Sequence, residues 1–181
     1  MLGIILLDGS DRFPMDSYLQ RLQDAITSAT HGMDAAALTG HPEGKWCAAQ
    51  VLEHLYLTYA GSVKGFERCL QEGRPLAGTV TFKEQLATLL VTELGYFPEG
   101  RKAPERTIPR GMAAEEVVKA IGETLAVMDE IITQCETRFG RSTRILDHPV
   151  LGPLTARQWR KFHLVHALHH VKQIWKLRGQ T

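Results

Sequence analysis

Residues 155–178, TARQWRKFHLVHALHHVKQIWKLR, decide how the rest of the chain is read. Thr155 and Gln158 are spaced as a capping box, in which two side chains satisfy the free amides of a helix start. Lys172, Lys176 and Arg178 stand near the other end and Gly179 follows, the chemistry that closes a helix. The stretch between is a single long helix. At about 100° per residue, His163, His166 and His170 share one face and His169 points away.

Upstream, the same signals recur. Residues 16–31 form a helix after Pro14, with Ser17 and Gln20 as its capping box and Leu19, Leu22, Ile26 and Ala29 at helical steps. Gly32 stops it. Residues 34–44 hold Gly40, Pro42 and Gly44 and read as a loop. A second long helix spans 45–71, with Trp46, Val51, Leu55 and Phe66 on one stripe and His54 beside it. Gly61 and Gly65 lie inside it, each costing about 1 kcal/mol relative to Ala. Thr81 and Glu84 cap a short helix ending near Thr92. LGYFPEGRKAPERTIPRG, residues 94–111, has neither helical nor alternating period. It is a long loop carrying Arg101, Lys102, Arg106 and Arg110. Residues 113–138 show a strong helical period through Val117, Ile121, Leu125, Met128 and Ile132. HPVLGPLT, residues 148–155, reads as another loop.

These elements predict an all-α fold, a four-helix bundle with one extra short helix and a long loop. The domain covers residues 16–181, preceded by an arm at 1–15. The linkers between long helices are not short, so a simple up-down topology does not follow.

Composition narrows the function. The 181 residues carry 21 Lys plus Arg against 20 Asp plus Glu, a formal charge of +1, which argues against a nucleic-acid partner. Cys47, Cys69 and Cys135 are widely spaced and form no C-x-x-C pair. Neither a disulfide framework nor a thiolate zinc site is indicated, and a reducing, cytoplasmic setting fits. The opening MLGIILLDG is too short for a leader or a span, and no other apolar run approaches about 18 residues, so no membrane association is expected.

Histidine is the unusual residue: there are 8, and His163, His166, His169 and His170 are four of them. His31, His41 and His148 stand at loops or helix ends. His166 and His170 are spaced i, i+4, which places two imidazoles one turn apart, able to share a metal ion. A stable site needs a third ligand, and His54 is the candidate; metal sites in bundles join side chains of facing helices. His163 and His169 offer alternative nitrogens. The alternative for all of them is a set of hydrogen-bonded core histidines. Ala167 follows His166, so the H-E-x-x-H protease pattern is absent. Gln50 and Thr58 on the second helix, Gln173 one turn beyond His169, and His163 are candidates to support the ligands. Glu53 lies about 100° round the helix from His54 and is not expected to ligate.

GKWCAAQVLEHL, residues 44–55, resembles the second helix of the DinB-like family, in which a Trp precedes a His by eight residues. HPVLGPLTARQWRKFHLVHALHHVKQI, residues 148–174, resembles that family's last helix, with its H-x-x-H-H pattern followed by Gln. The resemblance implies a four-helix bundle, often a homodimer, that holds a divalent metal on three histidines, here His54, His166 and His170. Zinc and nickel are the foremost candidates for imidazole donors. It also implies a transferase that brings a low-molecular-weight thiol to a small-molecule substrate. A metal-dependent hydrolase is one alternative. A non-catalytic dimeric scaffold or small-ligand binder is the other.

Overall fold

The computed structural model describes residues 14–40, 43–96 and 102–179. Six α-helices, one short 3-10 turn (Glu105–Thr107) and one two-stranded hairpin make up the regular structure of these residues. The helices are α1 (Ser17–Thr30), α2 (Ala35–Thr39), α3 (Ala48–Glu72), α4 (Phe82–Thr92), α5 (Ala114–Phe139) and α6 (Ala156–Arg178). The strands β1 (Arg144–His148) and β2 (Gly152–Thr155) pair antiparallel between α5 and α6. The four long helices form the bundle: α3 packs on α5, α1 packs on α6, and α3–α6 and α1–α5 contacts join the two pairs. The mainly helical fold is the one expected. Most of the expected arm at 1–15, together with His41 and Arg101, lies outside the described residues.

Each long helix is bundle-forming because its apolar residues fall on one face. Leu19, Leu22, Ile26 and Ala29 of α1 are buried, as are Val117, Ile121, Leu125, Met128 and Ile132 of α5. On α3 the buried set includes Leu52, Leu55, Tyr59 and Phe66. Removing such side chains from water, at about 25 cal/mol per Å² of apolar surface, is the main stabilising contribution. A buried Arg160 fixes α6 against α5: its guanidinium donates to Glu136 and to Thr133, both at 2.8 Å.

Three local expectations are corrected. The cap of α1 is Asp16, whose carboxylate accepts from the Tyr18 amide at 2.8 Å, and not Ser17 with Gln20. Asp is the stronger cap here because its short carboxylate reaches the amide two residues on. Residues 34–44 are not all loop: Asp34 accepts from the Ala37 amide at 2.8 Å and starts α2, whose three alanines are the best helix formers. Residues 148–155 are not a plain loop, for they supply the turn and second strand of the hairpin.

That hairpin is held by packing rather than by strand propensity. Ile145 and Leu154 are fully buried. The Trp159 indole donates to the Leu146 carbonyl at 3.1 Å, and the Leu76 amide donates to the Ile145 carbonyl at 2.8 Å. Gly65 explains why a glycine is tolerated inside α3: a Cβ there would lie 2.5 Å from Leu146 Cδ2. The hairpin therefore seats close against α3 and delivers the chain into α6 at a defined phase. Among the described residues, no helix is long and apolar enough to cross a membrane.

Candidate metal centre

The phase of two helices sets the site. At the start of α3, Gln50 Oε1 accepts from the Cys47 amide at 3.0 Å, which fixes the first turn and aims His54, two turns on, at α6. At the start of α6 the expected box forms: Thr155 and Gln158 accept from each other's amides at 3.3 and 2.9 Å. His166 and His170 then face α3. The three imidazoles meet although 112 positions separate His54 from His166.

Nε2 of His166 lies 3.3 Å from Nε2 of His54 and 3.0 Å from Nε2 of His170. The three ligand nitrogens lie within 4.8 Å of one another. With metal–nitrogen bonds of about 2.0–2.1 Å, neighbouring ligands of a tetrahedral ion stand about 3.4 Å apart. Two of the three spacings, 3.3 and 3.0 Å, are close to that value. All three residues are buried, at 5%, 6% and 8% exposure for His54, His166 and His170.

Proton accounting makes the same point. His54 Nδ1 lies 2.8 Å from the carbonyl oxygen of Thr107, which can only accept, so this nitrogen carries the proton. His170 Nδ1 lies 2.9 Å from Gln173 Oε1 and donates to it. Both neutral rings therefore turn a bare Nε2 lone pair toward His166 Nε2. A hydrogen there can satisfy one of the two well, but not both. Three buried imidazole nitrogens so placed could hold a metal ion, which would resolve the crowding of lone pairs.

Electrostatics keep the rings neutral. Burial lowers the pKa of His54, only partly offset by its bond to Thr107. Burial and then the neighbouring His170 and His54 hold His166 well below the usual imidazole range. Burial pushes His170 down to about 4 despite its bond to Gln173. Neutral imidazole is the form that binds metal.

The other candidates divide. Gln173 holds one of the three clustered rings directly, through His170 Nδ1. Gln50 does not reach the rings, because its amide is spent on the α3 cap. Thr58 is also corrected: its hydroxyl donates to the backbone carbonyl of His54 at 2.9 Å, the usual route for a helical threonine. His163 is fully buried one turn away, among Tyr59, Trp159 and Phe162. Neither of its nitrogens has a hydrogen-bond partner among the described residues. Its position on the His166 face holds, but it joins the core rather than the cluster. His169 stands 3.4 Å from Gln173 Nε2, on the far side of that amide.

Sequence reasoning missed four contributors. Thr107 acts through a backbone carbonyl in a short 3-10 turn, Glu105–Thr107, which no side-chain pattern announces. Glu53 is buried and binds three successive backbone amides at the end of the long loop and just beyond it, those of Arg110, Gly111 and Met112. Trp46 lies with its ring centroid 5.4 Å from that of His54. His148 accepts from the amides of Val150 and Leu151, both at 3.1 Å, so its proton sits on Nε2. Its ring is 4.2 Å from that of Phe162, which in turn stacks on His166 at 5.5 Å. Burial, then the charge of Arg106, pushes His148 down to about 4.

Compared with known proteins, residues 14–177 match one family model, described as protein of unknown function (DUF1569). No curated protein and no solved structure matches the chain.

Proposed function

We propose that this chain, which belongs to the DUF1569 family, is a divalent-metal-dependent enzyme of the DinB-like type, a transferase that acts through a small thiol. The convergence of three Nε2 atoms at 3.0 and 3.3 Å, with two rings held in the Nδ1–H tautomer, carries the metal reading. The likeness of residues 44–55 and 148–174 to DinB-like helices supports the thiol reading, together with a homodimer, a cytoplasmic setting and zinc or nickel as the ion.

When bound, the ion supplies a full 2+ charge that favours the thiolate form of a thiol near neutral pH. The chain's own residues do the rest. Thr107 and Gln173 orient His54 and His170 and raise their basicity as ligands. Phe162 and Trp46 wall the cluster with apolar surface, which strengthens electrostatic interactions inside. A carboxylate base beside the attacking water would assist hydrolysis at the same centre, although the ion would itself lower the pKa of that water toward about 7. Glu53, the carboxylate next to His54, is engaged with three amides and is not placed for that. The preference for thiol transfer over hydrolysis rests on the likeness of residues 44–55 and 148–174 to DinB-like helices.

The test has two stages. Untagged protein is analysed for metal, then assayed with several low-molecular-weight thiols and a chromogenic aryl halide. The sulfur forms a bond to the aryl carbon and halide leaves. Metal-dependent turnover that is lost in His166→Ala is expected. Tight metal binding with no thiol transfer would move the reading to the scaffold or to a hydrolase. Absence of metal after reconstitution would remove the enzyme altogether.

A further inference from the structure

We infer that Glu53 is the positioning residue of the metal centre: it clasps the 104–112 segment so that the Thr107 carbonyl stays on His54 Nδ1. This rests on the reading of His54, His166 and His170 as ligands.

The observation is a double clasp by adjacent residues of one helix. Glu53 is only 4% exposed. Its Oε1 accepts from the Arg110 amide at 2.7 Å, and its Oε2 accepts from the Gly111 and Met112 amides at 3.0 and 3.1 Å. Three successive amides converge because Gly111 has φ +92°, a conformation that side chains other than hydrogen rarely adopt. Earlier in the same segment, the Thr107 amide and hydroxyl both donate to the Pro104 carbonyl, at 2.9 and 3.0 Å, and close the 3-10 turn. That turn presents the Thr107 carbonyl to His54 at 2.8 Å. Glu53 and His54 are about 100° apart on α3, so one holds the loop while the other faces the cluster.

A buried carboxylate accepting three amide hydrogens is a strong anchor, since charge-assisted bonds are roughly twice as strong as neutral ones. Without it the segment loses its register on α3. His54 then loses the acceptor that fixes its proton on Nδ1, and Nε2 is no longer reserved for the ion. Loss of such an outer partner weakens metal binding by about 10–100-fold. The 104–112 segment is thereby a fixed wall of the site.

Glu53→Gln tests this, because glutamine keeps the shape but sets an NH2 group against amide donors. Gly111→Ala tests it independently: a Cβ there has no neighbour within 4 Å, so the change strains only the amide cradle. Two quantities are read: zinc affinity by chelator competition, and solvent exchange of the imidazole Nδ1 protons by NMR. Both variants are expected to lose about 10–100-fold in zinc affinity. The His54 Nδ1 proton should exchange about tenfold faster or more, while the His170 proton, held by Gln173, stays as in wild type. A general loosening of the fold would move both protons. Unchanged His54 exchange in both variants overturns the proposal. So does zinc affinity within about twofold of wild type. Should wild type itself bind no zinc, the ligand reading fails, and the His54 exchange still decides whether Glu53 positions the ring.

Discussion

His54 Nε2 and His166 Nε2 are 3.3 Å apart across the interface of α3 and α6. With His170 Nε2 3.0 Å from the other side of His166 Nε2, these buried imidazoles could hold a metal ion, and an ion held there would stabilise the fold. Metal at one hundred times its dissociation constant should stabilise by about 2.7 kcal/mol. For a chain of this size that is a rise of roughly 5–10 °C in Tm. Differential scanning calorimetry with zinc and with chelator measures it. His166→Ala should abolish the rise, since His166 is the nitrogen shared by both close pairs. An equal chelator effect in wild type and His166→Ala would contradict ligation.

Gln173 offers a finer check. Its Oε1 takes the His170 Nδ1 proton at 2.9 Å. Gln173→Ala should lower zinc affinity by about tenfold or more while leaving one ion per chain at saturation. Isothermal titration reads both quantities. Loss of stoichiometry with unchanged affinity would be the contrary result.

How much of this could be read from the sequence depends on what sort of group does the work. The α6 half of the histidine cluster could, because i, i+4 histidines behind a Thr–Gln capping box declare both spacing and helix phase. Long helices could as well, since burial at Leu125, Met128 and Ile132 repeats with the helical period. The hairpin could not: Pro149 and Pro153 flank a turn whose strands owe their existence to Gly65 and Trp159, distant in sequence. Thr107 and Glu53 were hidden for a related reason. One acts by its backbone and the other upon backbone, and neither leaves a side-chain pattern. Gln50 and Thr58 show the reverse error, for residues one turn from His54 were spent on helix amides and carbonyls before they could reach its ring.

The hairpin makes its own prediction. Gly152 has φ +68°, and a Cβ there would fall 2.4 Å from Glu84 Cδ. Glu84 is a flexible side chain and can move aside, but the left-handed backbone cannot be relieved. Gly152→Ala should therefore cost about 1–2 kcal/mol. That corresponds to a fall of roughly 2–8 °C in Tm, measured on the chelator-treated protein. Glu84→Ala in the same background should recover only the smaller, steric share. Full recovery would show that contact with Glu84, and not φ, set the cost.

His163 connects the core to pH. Burial, with a smaller effect from His148, pushes its pKa down to about 3, whereas an exposed imidazole titrates near about 6.5. Between these values the unfolded chain binds a proton that the folded chain refuses. Stability therefore falls as pH drops through about 6.5, and continues to fall until the folded ring also protonates near about 3. The slope from this one group approaches about 1.4 kcal/mol per pH unit. His163→Phe keeps the ring contacts with Tyr59, Trp159 and Phe162 and removes the titration. Urea unfolding of metal-free protein between about pH 6 and pH 4.5 should show the slope reduced by about that amount. His148 and the three clustered histidines, whose pKa values are lowered in the same direction, contribute to the remaining slope, and Glu72, Glu84 and Glu93, also lowered, add to it toward about pH 4.5. Zinc affinity at neutral pH should stay within about twofold of wild type, because His163 lies outside the ligand set. An unchanged slope would mean that His163 is not buried neutral in the folded chain, and a large loss of zinc would return it to the list of ligands.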